Sequence, residues 1–293
     1  MDHRPDGRVL TVIAVALTFA SGAMDVASFT RLGSVFTSVM TGNIVLWGLA
    51  AARGSLTLAS HTAVAIVGYI AGVAGGSRIA VGAPGAGGRA AAGGDGREGG
   101  DGKDAGGKDG DEQARDARAA EGRAGAWPAE GRAAAWPAEG RAAAWPAHVT
   151  WALLAELALL GGFAVGWEIT GAEPGGWVQF CLLAVAAAGM GVQSSAVKYM
   201  GLTEVSTTYL TGTLTGLVSS LVSPGPRATD RWRRLGVLLG LAAGASLTGL
   251  LVATAPDGVP ALPLAALVTC VVLATWPQAR TAGRARGKPG GAR

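Results

Sequence analysis

The chain has 293 residues, 49% of them hydrophobic and only 15% charged, with a mean hydropathy of +0.36. That balance is too apolar for an ordinary water-soluble domain of this size. The net charge of +4 comes without a basic stripe interleaved with aromatics, so no nucleic-acid partner is expected.

Val9 to Phe29 opens the chain's apolar pattern with 21 residues, and a helix needs about 20 to cross the hydrocarbon layer. Its single charge, Asp25, falls near the end. Arg4 and Arg8 ahead of it, and Ser21-Gly22-Ala23 within it, also resemble a secretory signal. Cleavage there would discard half of a motif that returns later, so the segment reads as an uncleaved first span.

Val35 to Ala52 follows, polar at its start, where Thr41-Gly42-Asn43 stands. Leu56 to Ser77 is the third segment, with Gly68, Gly72 and Gly76 on one helix face. Such a face lets two backbones approach closely in lipid. It suits packing within the chain or the seam of a homo-oligomer.

Residues 82 to 147 are different material. Between Arg89 and Arg141 there are nine basic and eleven acidic residues and no apolar period. Its last third repeats AEGRAGAWP-like units from Ala120 to Pro146. This composition cannot bury enough surface to offset chain entropy, so a disordered, low-complexity linker is expected.

Val149 to Trp167 resumes the membrane pattern, with Glu156 inside it. Gly176 to Val197 and Val205 to Val222 are uncharged, and the latter is rich in Ser and Thr. Leu235 to Ala255 carries Gly236, Gly240 and Gly244, again every fourth residue. Val259 to Trp276 is the eighth segment, and residues 277 to 293 form a basic tail expected to be disordered. Cys181 and Cys270 sit inside apolar segments without metal-ligand spacing and read as apolar fillers. No metal or cofactor is implied.

A pattern returns along the chain. Gly191-Val192-Gln193-Ser194 stands 169 positions after Gly22-Ala23-Met24-Asp25, and Thr211-Gly212-Thr213 stands 170 positions after Thr41-Gly42-Asn43. The expected architecture is all-α: a polytopic membrane helix bundle of six to eight spans, in two repeated halves of four hydrophobic segments. The first half takes in 9–81 and 148–167, the second 176–276. Eight spans would make the halves parallel repeats. Six spans, with the second and sixth segments entering and returning, would make them inverted. Basic residues 227 to 234 and the basic tail place both termini in the cytoplasm in either case.

The motifs G-x-x-D, a Leu-Gly and Val-Phe turn and M-T-G-N in the first half, with G-x-Q-S, T-T and T-G-T in the second, resemble the YoaK family of bacterial membrane proteins. The resemblance covers nearly the whole chain outside residues 82 to 147. Ser194 is a departure, since the family more often has Asn there. The resemblance implies an integral protein of the bacterial inner membrane and assigns no substrate.

Ionisable residues inside a span are costly and point by default to a site or relay. Asp25 and Glu156 are such residues. The structural alternatives are a carboxylate bonded to Ser/Thr hydroxyls or backbone of the second segment for Asp25, and a helix-packing hydrogen bond for Glu156. Thr41, Asn43, Thr211 and Thr213 would stand near the N-terminal ends of half-helices, whose free N–H groups bind polar or anionic groups. Gln193 and Ser194 add donors and acceptors on the fifth segment. His61 reads as an interfacial residue. No metalloprotease helix, nucleophile elbow or phosphate loop is present, so an enzyme is not expected. The expectation is a small-solute transporter or permease whose site forms where the Gly-x-x-Asp and Thr-Gly-Asn segments meet. The alternative is a scaffold or sensor acting through the insert or the tail.

Overall fold

Eight helices cross or line the bundle in a computed structural model that describes residues 7–81, 147–200, 210–222 and 228–286. They are α1 (Gly7–Arg31), α2 (Met40–Arg53), α3 (Leu56–Val81), α4 (Ala147–Ile169), α5 (Gly176–Tyr199), α6 (Leu210–Val222), α7 (Ala228–Thr254) and α8 (Ala261–Arg286), with a 3₁₀ turn at Pro256–Gly258. Six of them, α1, α3, α4, α5, α7 and α8, are long and apolar enough to span a bilayer. The chain is an all-α, multi-pass membrane protein. The expected linker lies outside the described residues. The tail does so only in part, because α8 runs on to Arg286.

Helices α2 and α6 are the exceptions, at 14 and 13 residues. At 1.5 Å per residue each reaches only about 20 Å, short of the roughly 30 Å hydrocarbon core.

Side-chain contacts fix the directions of the spans. Gln179, in the first turn of α5, donates to the carbonyl of Arg31 at the end of α1 (2.8 Å), and Gln193 near the end of α5 reaches Leu17 of α1 (2.8 Å). The two helices therefore run antiparallel. Helix α7 runs parallel to α1, with Gly240 against Val15 and Gly249 against Val26. His61 in α3 faces Gln179, so α3 starts on the face where α1 ends. The stretch carrying α2 thus leaves and returns on that face. Because α5 ends where α7 begins, the stretch carrying α6 does the same on the opposite face. Among the described residues six helices are long and apolar enough to span, and α1 and α5 are opposed.

Glycines set the two tightest seams. A Cβ built on Gly68 of α3 would fall 2.8 Å from the carbonyl oxygen of Ala184 on α5, and one built on Gly240 of α7 would fall 3.0 Å from that of Val15 on α1. Gly72 and Gly76 continue the first seam and Gly244 the second, while Gly236 faces the Val15 side chain. Each third segment therefore packs on the first span of the other half. Elsewhere the surface is apolar: Ile44, Val67, Trp151, Val165 and Leu239 are exposed, an arrangement that suits lipid rather than water.

Candidate functional site

Helix α1 carries a buried polar stripe. Thr18, Ser21, Asp25 and Ser28 recur at spacings of three and four, which places them on one helix face, and all four are buried. Thr18 and Ser21 donate back to Ala14 (2.7 Å) and Leu17 (3.1 Å), so their hydroxyls are satisfied within the helix. Ser28 donates to the carbonyl of Val35 (2.5 Å).

Beyond α1 the chain reverses at Gly33 and Ser34, both at positive φ (98° and 60°). Residues Val35 to Val39, expected as the start of the second segment, fold back along α1 outside any helix. Asp25 organises this return. Its Oδ1 accepts the N–H groups of Thr37 (2.9 Å) and Ser38 (2.8 Å) and the Thr37 hydroxyl (3.1 Å). Its Oδ2 accepts the Ser38 hydroxyl (2.5 Å). A carboxylate thus supplies acceptors for backbone donors that precede α2 at membrane depth.

Asn43, fully buried, completes the loop from the other side. Its amide donates to the Phe36 carbonyl (2.6 Å), and its oxygen accepts the Phe36 N–H (2.9 Å). Phe36 in turn stacks on Phe29 of α1 with ring centroids 5.3 Å apart. Thr41 is exposed.

His61 fastens the same face. Its Nδ1 lies 2.7 Å from the Thr57 carbonyl and its Nε2 lies 3.1 Å from Gln179 Oε1, while the ring stacks on Phe180 at 4.2 Å. Gln179 then reaches Arg31, so the end of α1 and the starts of α3 and α5 are clasped together.

Toward the middle, Gln193 of α5 meets the stripe. Its amide donates to Leu17 (2.8 Å) and to the Ser21 hydroxyl (3.1 Å), while its Oε1 is buried without a hydrogen-bond partner. The neighbouring Ser194 accepts from Tyr69 of α3 (2.8 Å). Glu156 of α4 is fully buried, and neither carboxylate oxygen has a partner. It lies level with Gln193, because Gly166 meets Leu182 and Gly189 meets Leu160 across the antiparallel α4–α5 contact.

The structure therefore gathers Asp25 and Asn43 around one loop, and joins Gln193 to the same helix face one turn below Asp25. Thr213 is buried and Thr211 exposed on α6, a helix that packs along α7, whereas α2 packs along α3. Among the described residues no three His, Cys, Asp or Glu side chains gather as a metal site would require. Thr18, Ser28, Thr37 and Ser38 were not singled out from sequence. The heptad-like spacing 18, 21, 25, 28 is the signal that would have found the first two.

The family model described as "Protein of unknown function (DUF1275)" matches residues 13–92 and 129–275. Over 57 residues the chain is 42% identical to the UPF0700 transmembrane protein YoaK of Bacillus subtilis (strain 168), a match covering 20% of this chain and 25% of that protein. No solved structure matches.

Proposed function

The chain belongs to the DUF1275 family, and from that premise we propose that it is a small-solute permease of the bacterial cytoplasmic membrane. Its pathway runs beside the polar stripe of α1, where α5 faces it. One observation carries this reading: two short helices, α2 and α6, turn back at opposite faces around a pair of antiparallel spans. Short, interrupted segments matched in two halves are the strongest sequence pointer to a transporter binding site, and irregular backbone at membrane depth is tolerated where it lines a cavity or is buried in protein.

The glycine seams support treating the halves as inverted copies. Gly72 meets Ala188 as Gly244 meets Phe19, and the members of the two pairs stand 172 and 169 positions apart. In this reading Asp25, Thr41 and Asn43 form the gate at one face, and Thr211 and Thr213 belong to the gate at the other. Gln193, Ser194 and Glu156 line the middle. Both termini are cytoplasmic, since the basic residues 227 to 234 and the basic tail flank spans on one side.

The test is purified protein in proteoliposomes, challenged with a panel of amino acids, sugars, carboxylates and purines while charge movement and uptake are recorded. At least one class should be taken up, and uptake should fall at least about tenfold in Gln193→Leu, since a buried polar group left unmet costs about 1–3 kcal/mol. A folded protein that carries nothing in the panel overturns the reading. Removing residues 82 to 147 should leave uptake intact, whereas a scaffold acting through that insert would lose its partners.

A further inference from the structure

We propose that Glu156 is a proton-binding site: a carboxyl group that holds a proton while the bundle around it is closed and hands it on when the helices part. Glu156 is wholly sealed from solvent, inside a helix long and apolar enough to cross the bilayer, and neither of its oxygens has a hydrogen-bond partner. An ionised carboxylate in that position would have neither water nor a counter-charge, which is the costliest state for such a group.

Among the described side chains, the helices packed on α4 supply no compensating charge. From α8 comes Cys270, whose thiol points to the Ile13 carbonyl of α1 (3.8 Å). From α5 comes Gln193, uncharged, with Lys198 exposed beyond it near the end of the helix. From α3 the nearest charged side chain is Arg78, also exposed near its helix end. A metal ion fits poorly, because hard cations gather six or more oxygens and, among the described residues, the only other buried, unpartnered side-chain oxygen at this level is Gln193 Oε1. A proton needs one.

Asp25 makes the contrast. Its oxygens already accept four hydrogen bonds from Thr37 and Ser38, so it is built to remain a structural acceptor. The two carboxylates sit at different depths: Asp25 lies six residues from the end of α1, whereas Glu156 lies level with Gln193, which meets Leu17 in the first half of that helix. Coupling of solute movement to the proton is the use that the permease reading gives this site. Proton binding itself stands without it.

Dicyclohexylcarbodiimide is the probe, because it adds to protonated carboxylic acids in apolar surroundings and leaves an acylurea that peptide mapping locates. In the full chain, Glu156 should be modified roughly tenfold faster than Asp25, given their different hydrogen bonding. An unmodified Glu156, or one modified no faster than Asp25, overturns the assignment whatever the protein transports. In proteoliposomes that carry a solute, E156Q should lose accumulation driven by a pH gradient, and accumulation equal to the parent protein overturns the coupling role. A labelled Glu156 in a protein that carries no solute leaves the proton site standing and removes the permease.

Discussion

Gly72 on α3 meets the carbonyl oxygen of Ala188 on α5 with no room for a side chain between them. The same contact recurs between Gly244 on α7 and Phe19 on α1. In lipid there is no hydrophobic drive for one helix to seek another, so the approach of two backbones is what holds such seams. Gly72→Ala and Gly244→Ala should each lower stability by about 1–3 kcal/mol, the usual cost of forcing a methyl group into a packed contact. Gly75, one residue from the seam edge, has open space where its Cβ would stand. Gly75→Ala should be neutral, and thermal unfolding in detergent compares the three. Equal melting of all three variants would mean that the seams do not bind the bundle.

Asp25 is the second target. Replacing it with Asn removes one acceptor oxygen and turns two donors toward the N–H and O–H groups of Thr37 and Ser38. Hydrogen bonds to a charged group are worth about 1.5–3 kcal/mol each, so the loop from Val35 to Val39 should come loose in Asp25→Asn while the six spans remain. A cysteine placed at Phe36 in a background free of Cys181 and Cys270 reads this out: it should react with a polar maleimide far faster in the Asn variant. An unchanged rate would show that the carboxylate does not hold the loop.

These two cases also mark what the residues alone disclose. The six apolar helices are legible because an apolar run of sufficient length has few alternatives. The break expected at Thr41-Gly42-Asn43, by contrast, falls inside helix α2, and the irregular backbone lies before it, at Val35 to Val39. Glycine every fourth residue announces a close neighbour without naming it, since Gly72 and Ala188 are joined only through the fold of the whole bundle. Asp25 stands out as a charge in a span. Its partners, 12 and 13 residues on, are hidden by the reversal at Gly33 and Ser34, of which only the glycine gives a hint. Glu156 is equally conspicuous in sequence, but its isolation from every donor is a property of four packed helices.

Gly33 itself offers a third prediction. It holds φ at +98°, and a Cβ there would overlap the His61 ring. Left-handed backbone costs a non-glycine residue about 1–2 kcal/mol, and the overlap about 1–3 kcal/mol more. Gly33→Ala should therefore lose about 2–5 kcal/mol in the parent protein and only the backbone share, about 1–2 kcal/mol, when His61 is Ala. A double-mutant cycle by chemical denaturation in mixed micelles measures the difference. A cost that is the same in both backgrounds would separate His61 from the turn.

The topology gives the last. Arg31 at the end of α1 pairs with Glu173 in the α4–α5 loop (3.4 Å), an exposed contact that adds little stability but places both residues at one face. Trp167 donates to Pro256 (3.0 Å), which brings the 3₁₀ turn to the same face. Cysteines introduced at Gly54, Glu173 and Asp257 should therefore behave as a group. With the basic loop and tail retained in the cytoplasm, all three should react with a membrane-impermeant maleimide on intact cells. A cysteine at Met200, at the far end of α5, should react only after the cells are opened. Labelling of positions 54 and 173 only after the cells are opened, with position 257 still labelled from outside, would make the second and sixth segments crossings and the halves parallel. Labelling of all three from the cytoplasm would keep the six spans and invert the whole bundle, at which point the basic loop could no longer be what orients it.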